Sequence, residues 1–284
     1  LSTNEAMRNW DVSSITSFYS MFEYAILFNE DIGGWDTSNV GGMGFMFSGA
    51  ESFNQDIGGW DTSNLRDAQY MFQTASAFNQ DVSSWNLENL IFMNGMFSGA
   101  SSFNQPIGSW NVSNVTVMAN VFSGATSFNQ PIGEWDVSNV ESMNSLFDQA
   151  MSFNQDLSAW DMSNVVDLGN MFQFAQAFDQ NLGDWDIGKV TSMSNMFSFT
   201  KLSQGNYDST LIGWSNLPSL QSGVQFDAGR STFCSSDMAR TLLITDYGWT
   251  ITDEGKGCPF VTTWKTDNPG ASASNQISIP VSNE

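Results

Sequence analysis

The chain has 284 residues, of which 41% are hydrophobic and 14% aromatic. It can therefore form a large buried core, which excludes a disordered protein. Its formal net charge of −22 disfavours binding to nucleic acids or anionic lipids. The sequence has no histidine and no apolar run long enough to insert into a membrane.

Residues 1–9 precede a regular repeat, and we interpret them as the remnant of an N-terminal cap. From there tryptophan recurs every 25 residues, at Trp10, Trp35, Trp60, Trp85, Trp110, Trp135, Trp160 and Trp185. Phenylalanine keeps the same interval from Phe22 to Phe197, and alanine from Ala25 to Ala175. A fixed period of this length is typical of a solenoid, whose units must stack to bury their apolar faces. We assign residues 10–200 to this repeat array of about eight coils.

Each coil is predicted to contain one short parallel β-strand and one short helix. In the coil spanning residues 32–50, strand-like apolar spacing is found at Ile32, Trp35, Thr37 and Val40. Ser38 is suited to cap a helix. Helical apolar spacing follows at Val40, Met43, Phe47 and Ala50. The predicted fold class is therefore an α/β solenoid of the leucine-rich-repeat type.

We first consider a structural role, rather than a functional one, for the repeated side chains. Columns of tryptophan, phenylalanine and methionine at a fixed interval are typical of a stacked core, in which methionine fills irregular gaps. The asparagine column from Asn29 to Asn154 is predicted to form an internal ladder. Its side chains would bond to backbone groups of the neighbouring turn, as buried turns require.

The repeat has the pattern W-[DN]-[VT]-S-N-V-x-x-M-x-x-M-F-x-x-A-x-x-F-N-Q-[DP]-I-G over residues 8–200. This pattern resembles the BspA-like leucine-rich repeat surface proteins, also termed the mycoplasma lipoprotein repeat family. The resemblance implies a surface or secreted protein with a role in adhesion and in host or matrix binding. It supplies no shared catalytic residues. The segment after Cys258 is similar to sequences that follow such arrays in surface proteins of marine Bacteroidetes.

Residues 201–258 depart from the period and are predicted to form a C-terminal α/β cap, because an open solenoid end needs covering. The segment contains both cysteines of the chain, Cys234 and Cys258. A disulfide between them would suit an oxidising, exported location, and two free thiols are the alternative. Residues 259–284 are predicted to begin a following β-domain or a linker, within a larger multidomain protein.

One acidic column is the candidate ligand-binding site. The residue after each tryptophan is predicted to point outward: Asp11, Asp36, Asp61, Asn86, Asn111, Asp136, Asp161 and Asp186. Adjacent coils about 4.8 Å apart would bring like charges together, with a repulsion of about 1 kcal/mol per pair in water. Two explanations stay open. The side chains bond to nearby backbone or serine groups, or they bind a cation or a partner.

Calcium is a minor alternative, because this ion takes six to eight oxygen ligands. A second acidic column consists of Asp31, Asp56, Asp81 and Asp156, but Pro106, Pro131 and Asn181 interrupt it. Those replacements argue against structural calcium, so no metal site and no cofactor are assigned.

The sequence favours a binding protein over an enzyme. It has no histidine base, nucleophile elbow, phosphate-binding glycine loop or Cys/His metal cluster. Its carboxylates recur in every coil and offer no differentiated catalytic pair. The leading hypothesis is a monomeric cell-surface or secreted adhesion module for a protein or glycan of a host, a matrix or a neighbouring cell. The alternatives are a structural spacer and, less favoured, an ice-binding face.

Overall fold

The structure is a computed structural model that describes residues 7–258, 260–264 and 277–281. Its helices and strands are α1 (Gln204–Ser215), β1 (Gln225–Asp227), α2 (Asp237–Thr245), β2 (Thr250–Thr252), β3 (Phe260–Trp264) and β4 (Ile277–Val281). All six follow residue 200, and residues 10–200 consist of turns joined by single-residue bridges. Among the described residues, no helix has the length and apolarity needed to cross a bilayer.

Successive 25-residue coils lie side by side and are linked by parallel bridges. One chain of bridges runs Ser17–Gly42–Asp67–Phe92, and a second runs Val117–Ser142–Asp167–Ser192. Each bridge joins residues one repeat length apart in the sequence. The 25-residue period therefore corresponds to one step from a coil to its neighbour.

The main contact between coils is a ladder of backbone hydrogen bonds. It is made by the stretch equivalent to residues 42–49 in each coil, which we term the ladder segment. Alternate N–H groups of one ladder segment donate to carbonyls of the next coil at 2.7–2.9 Å: Met43 to Asp67, Phe45 to Gln69, Phe47 to Met71 and Gly49 to Gln73. The intervening N–H groups close turns within the coil, as Met46 does to the Met43 carbonyl at 3.1 Å. Backbone donors are thus divided between the coil and its neighbour.

The prediction of a strand and a helix in each coil is wrong for this part of the chain. The stretch expected to be helical is the ladder segment. Two of its positions have positive φ in every coil, as at Phe45 (57°) and Gly49 (73°). Residues of a right-handed helix have negative φ, so these positions are not helical. The stretch expected to be a strand, around Trp35, forms turns instead.

The core consists of side-chain columns that run along the stack. Phe47 is fully buried. Its ring lies 3.9 Å from that of Phe53 in its own coil and 5.5 Å from that of Phe72 in the next, measured between centroids. The indoles of Trp60 and Trp85 are stacked with their planes 5° apart. Because each ring contacts its equivalent one coil away, burial of this apolar surface requires stacking.

Polar side chains inside the turns are satisfied across coils. The Trp60 indole N–H donates to the Ile32 carbonyl at 3.2 Å. The Asn54 N–H donates to the Asn29 side-chain oxygen at 2.9 Å, which confirms the predicted asparagine ladder. A second ladder was not predicted: the Asn64 amide donates to the Ser38 carbonyl at 2.7 Å.

The segment after residue 200 continues the same stack. Phe226 of β1 bridges in parallel to Met193 of the last regular coil. It is also paired with Ile251 of β2 in a parallel register. The Trp214 and Trp249 indoles each donate to a backbone carbonyl at 2.8 Å, on Leu182 and Gln221. The hydrogen bond from a tryptophan indole to a backbone carbonyl therefore continues in this segment, although the tryptophans are more than 25 residues apart.

The two chain ends are described only in part. Strands β3 and β4 pair antiparallel, with Phe260 opposite Val281 and Trp264 opposite Ile277. The rest of the predicted β-domain or linker, and residues 1–6 of the predicted N-terminal cap, lie outside the described residues.

Gly99 gives a test of the ladder geometry. It has φ of 72°, and a Cβ there would lie 3.0 Å from Cγ2 of Thr74. We expect Gly99→Ala to lower the free energy of unfolding by about 1–2 kcal/mol, through strain and crowding. Gly59→Ala is the matched control, because no atom lies within 4 Å of the position that its methyl group would take. Denaturant titration of both variants measures the difference, and equal stabilities would contradict the proposed strain.

Candidate functional site

The predicted acidic column is exposed, and each member closes a local turn. The side-chain oxygen of Asp36 accepts the Ser38 N–H at 3.1 Å and the Ser38 hydroxyl at 2.6 Å. Asn86 and Asn111 accept the backbone N–H two residues on in the same way. The same backbone bond forms at Asp11, Asp61, Asp136, Asp161 and Asp186.

Electrostatics agree with a turn-forming role for these carboxylates. Hydrogen bonds from the hydroxyl and N–H of Ser38 lower the pKa of Asp36 below its ordinary value. Asp61 and Asp11 oppose this by raising the pKa of Asp36, but the serine contacts outweigh them. Serine contacts likewise lower the pKa of Asp11, Asp61 and Asp161, so the turns favour the charged form of these side chains. The periodicity of the column is therefore explained without a ligand, while its charge remains available to a partner.

The second acidic column makes the same kind of turn. Asp56 accepts the Gly58 N–H at 3.0 Å, and Asp81 accepts the Ser83 N–H at 2.9 Å. Within residues 7–258, no group of three or more carboxylate or cysteine side chains is arranged to hold a metal ion.

A different surface carries the chemical variation of the array. We term it the ladder face, formed by the residues equivalent to positions 41, 42, 44, 45, 48 and 49. The position of Gly42 is occupied in later coils by Asp67, Phe92, Val117, Ser142, Asp167 and Ser192. Phe92 is 52% exposed and Val117 is 40% exposed. Parallel bridges join this position from coil to coil, except at the step from Phe92 to Val117, where the described residues show none.

Aromatic rings line the first coils of the ladder face. The rings of Tyr19 and Phe45 lie 5.5 Å apart, and those of Phe45 and Tyr70 lie 5.0 Å apart. The row ends at Gly95, where a Cβ would lie 2.1 Å from Cε1 of Tyr70. The Tyr70 ring therefore packs over Gly95, and a larger residue there would displace it.

One carboxylate on the ladder face is poorly satisfied. Asp148 Oδ1 is buried without a hydrogen-bond partner among the described residues, while Oδ2 accepts from the Gln149 amide at 3.2 Å. Burial raises the pKa of Asp148. Because its folded pKa lies above the unfolded value, the charged side chain destabilises the protein once pH rises above that unfolded value.

Neutralising this side chain should therefore stabilise the protein. We expect Asp148→Asn to raise the free energy of unfolding by up to about 1 kcal/mol near pH 7, a modest value because the side chain is only partly buried. The gain should vanish near about pH 3, where the wild-type carboxyl is protonated as well. Denaturant titrations at both pH values measure it, with Asp136→Asn as the control. A gain that is the same at both pH values would rule out the electrostatic cause.

The C-terminal segment contains a buried carboxylate that organises its fold. Asp208 of α1 accepts the N–H groups of Cys234, Ser235 and Ser236 at 3.0–3.1 Å, just before α2 begins. Burial raises the pKa of Asp208, but the bonds from Ser235, Ser236 and Cys234 outweigh it and leave the pKa below its ordinary value. This contact joins α1 to the N-terminus of α2.

The confirmed disulfide lies at the same place. Cys234 and Cys258 are bonded, with their Cα atoms 4.8 Å apart and a sequence separation of 24. By chain entropy, a loop of this size stabilises a fold by about 3 kcal/mol. The disulfide and the hydrogen bonds of Asp208 therefore both fix the chain at Cys234.

A third polar cluster is also structural. Asp253 accepts bonds from the Tyr207 hydroxyl and from Arg240 Nε, both at 2.8 Å. It accepts a third from the Gly255 N–H at 3.0 Å. Burial, followed by the charge of Asp253, raises the pKa of Tyr207. Because Tyr207 is fully buried and Asp253 is bonded on both oxygens, the cluster offers no open position for a substrate.

Removing the charge of Asp208 tests its structural role. We expect Asp208→Asn to lower the free energy of unfolding by about 3 kcal/mol, because an amide cannot accept all of these donors. The wild-type contribution should be complete above the unfolded pKa of about 3.9 and lost as pH falls through the lower folded pKa. Urea titration across acidic pH measures this difference.

The exposed Asp246→Asn is the matched control for that substitution. If Asp208→Asn were no less stable than Asp246→Asn at neutral pH, Asp208 would not organise this segment.

Comparison with known proteins identifies a family through the repeat. The family model described as "Mycoplasma protein of unknown function, DUF285" matches residues 1–109 and 92–210. The two overlapping matches cover most of the chain. Repeats of this family occur in BspA-like and mycoplasma repeat proteins. No curated protein matches the chain.

Proposed function

We propose that this chain, which belongs to a Mycoplasma repeat family of unknown function, is a non-enzymatic binding and adhesion module. In this proposal the stacked coils form a solenoid of the BspA-like surface type. The module is exported, and it binds a protein or glycan of a host, a matrix or a neighbouring cell. It acts as a monomeric unit.

The observation that carries the proposal is the chemical variation of the ladder face. Stacking requires Trp60, Phe72 and their equivalents to be constant, but it places no such demand on the position of Phe92. There the coils present carboxylate, hydroxyl, aromatic and aliphatic groups in a fixed order. Rigid scaffolds with variable exposed positions are the usual basis of repeat-protein recognition.

Exposed apolar side chains support the same surface. Phe92 and Val117 lie in adjacent coils at equivalent positions, with 52% and 40% of their surface exposed. Asp67 precedes Phe92 in the bridge column. Aromatic and aliphatic contacts beside a charged group are typical of binding interfaces. We propose the ladder face as the primary recognition surface and the acidic column as a secondary one.

The disulfide supports export, and the charge bears on the class of partner. A disulfide between Cys234 and Cys258 persists most readily in an oxidising compartment. The net charge of −22 favours solubility and disfavours nucleic-acid partners. Neither observation identifies the ligand, so the test must survey several ligand classes.

The test is a binding survey with substitutions that the repeat already uses. The purified chain would be screened against immobilised glycans and matrix proteins, with and without calcium. We expect Phe92→Ser with Val117→Ser to abolish binding, because it removes the exposed apolar side chains. The repeat should tolerate the change, because serine occupies the equivalent position at Ser142. A second variant, Asp36→Asn with Asp61→Asn, tests the acidic column. It removes two charges but keeps the turns, as Asn86 and Asn111 do.

Each outcome of the survey separates the alternatives. Binding that is lost only in the serine variant supports the ladder face. Binding that is lost only in the asparagine variant moves the site to the acidic column. If the chain binds nothing in the panel, the structural spacer becomes the better explanation.

A further inference from the structure

Two stacked phenylalanines lie on the ladder face near the C-terminal segment. Phe174 and Phe199 occupy the position of Gly49 in the last two regular coils, with φ of 56° and 62°. Their ring centroids are 4.3 Å apart and their planes differ by 2°, and Phe199 is 57% exposed. Positive φ is unfavourable for a residue with a side chain. Glycine fills this position at Gly49, Gly99 and Gly124, so stacking of the coils does not require a ring here.

The two rings lie along the side of the stack. In residues 7–258, the coil of Phe199 is followed by β1 and β2, which continue the parallel pairing from Met193 through Phe226 to Ile251. The exposure of Phe199 is therefore different from that of an uncovered last coil.

A polar groove lies beside the rings, between the last regular coil and the C-terminal segment. It has a volume of about 150 Å³ and is lined, besides Phe226, by Ser194, Asn195, Gln225, Asp227, Thr250 and Thr252. Asp227 connects the groove to the rings, because it accepts a hydrogen bond from the hydroxyl of Ser198, the neighbour of Phe199 in the chain. We term the groove and the two rings together the junction site.

The groove offers several polar groups to a ligand. Gln225 is paired with Thr250, and Asp227 with Thr252, so these side chains share one face of the β1–β2 pair. Gln225, Thr250 and Thr252 are exposed, and their side chains make no hydrogen bond within residues 7–258. One amide and two hydroxyls can each donate and accept hydrogen bonds. Such a row suits a ligand that is rich in hydroxyl groups.

Two cations lie next to the junction site. Lys201 follows Phe199 by two residues, and the Arg230 N–H donates to the carbonyl of Thr200 between them at 3.0 Å. Both cationic side chains are exposed, and neither forms an ion pair within residues 7–258. Salt screens the repulsion from carboxylates more than about 8 Å away. Two adjacent cations can therefore hold an acid group although the net charge of the chain is −22.

We propose that the junction site binds an acidic glycan, a chain of sugar rings that carries carboxylate or sulfate groups. The proposal rests on the proposed function of the ladder face and names the ligand class for its C-terminal part. The apolar face of a sugar ring packs on Phe199, and its hydroxyls bond to Gln225 and Thr250. Lys201 and Arg230 bind the acid group by charge-assisted hydrogen bonds.

An acidic peptide is the less favoured ligand. Addition of a peptide strand requires free backbone groups. Here the N–H groups of Phe197 and Arg230 already donate to the carbonyls of Asp227 and Thr200, at 3.0 Å each. Side-chain groups and rings are what the junction site leaves available.

The test is isothermal titration calorimetry of the full chain with four probes. These are a hexamer of galacturonic acid, sulfated maltohexaose, uncharged maltohexaose and hexaglutamate. We expect at least one charged hexasaccharide to bind, and the tighter one identifies the acid group. Uncharged maltohexaose and hexaglutamate should bind at least about ten-fold more weakly, because each lacks one of the two kinds of contact.

Matched variants locate the contact. We expect Phe199→Gly to weaken binding of the charged hexasaccharide at least about ten-fold, and Lys201→Gln with Arg230→Gln to do the same. The controls are Met238→Ala and Lys189→Gln, which change an exposed apolar residue and an exposed cation outside the ladder face. Both controls should bind like the wild type. Thermal melting would verify that every variant folds.

Three results would overturn the proposal. Neither charged hexasaccharide binds the wild type, or Phe199→Gly binds as well as the wild type, or hexaglutamate binds as tightly as the saccharides. The last result would assign the site to an acidic peptide. A survey ligand that depends on Phe92 and Val117, together with no binding of either charged hexasaccharide, would refute the junction site alone. The broader function of the ladder face would then stand.

Discussion

The structure depends on the division of backbone N–H groups between a coil and its neighbour. In the ladder segment, alternate donors leave the coil and the others close turns inside it. This alternation requires positive φ at two positions of every coil. Gly49 adopts it readily, whereas Phe45 and Tyr70 adopt it at a cost of about 1–2 kcal/mol each. The ring stacks and side-chain ladders offset that cost, because they form only when the coils are in register.

The period, the core columns and the asparagine ladder could be predicted from the sequence, because each is visible as a side chain that repeats. The path of the backbone could not. Val40, Met43, Phe47 and Ala50 have helical spacing, but that spacing here reflects inward-pointing residues of successive turns. The sequence contains only a weak signal that would distinguish this path from a helix. Asn120 and Gly95 suit positive φ, but Phe45 and Tyr70 in equivalent positions do not.

The candidate site was predicted in part. The exposure of the acidic column could be anticipated from its place after each tryptophan. Its role in the turns was one of two open explanations, and the bonds from Ser38 to Asp36 supply it. The ladder face was not predicted, because the same residues were assigned to a helix. The continuation of the stack through Trp214 and Trp249 was missed since insertions conceal the interval. Both features depend on the path of the backbone, which the spacing of side chains in the sequence does not reveal.

The regular coils share one set of donors and acceptors, and this has a consequence for how such a gene can change. If residues 101–125 were deleted, the Asn79 side-chain oxygen would meet the Asn129 N–H in place of the Asn104 N–H that it accepts now at 2.9 Å. Both flanking coils would find a compatible surface. Unequal recombination between nearly identical segments could therefore lengthen or shorten the protein by whole coils without unfolding it. Natural variants should differ in length by multiples of 25 residues, with the disulfide-closed end unchanged.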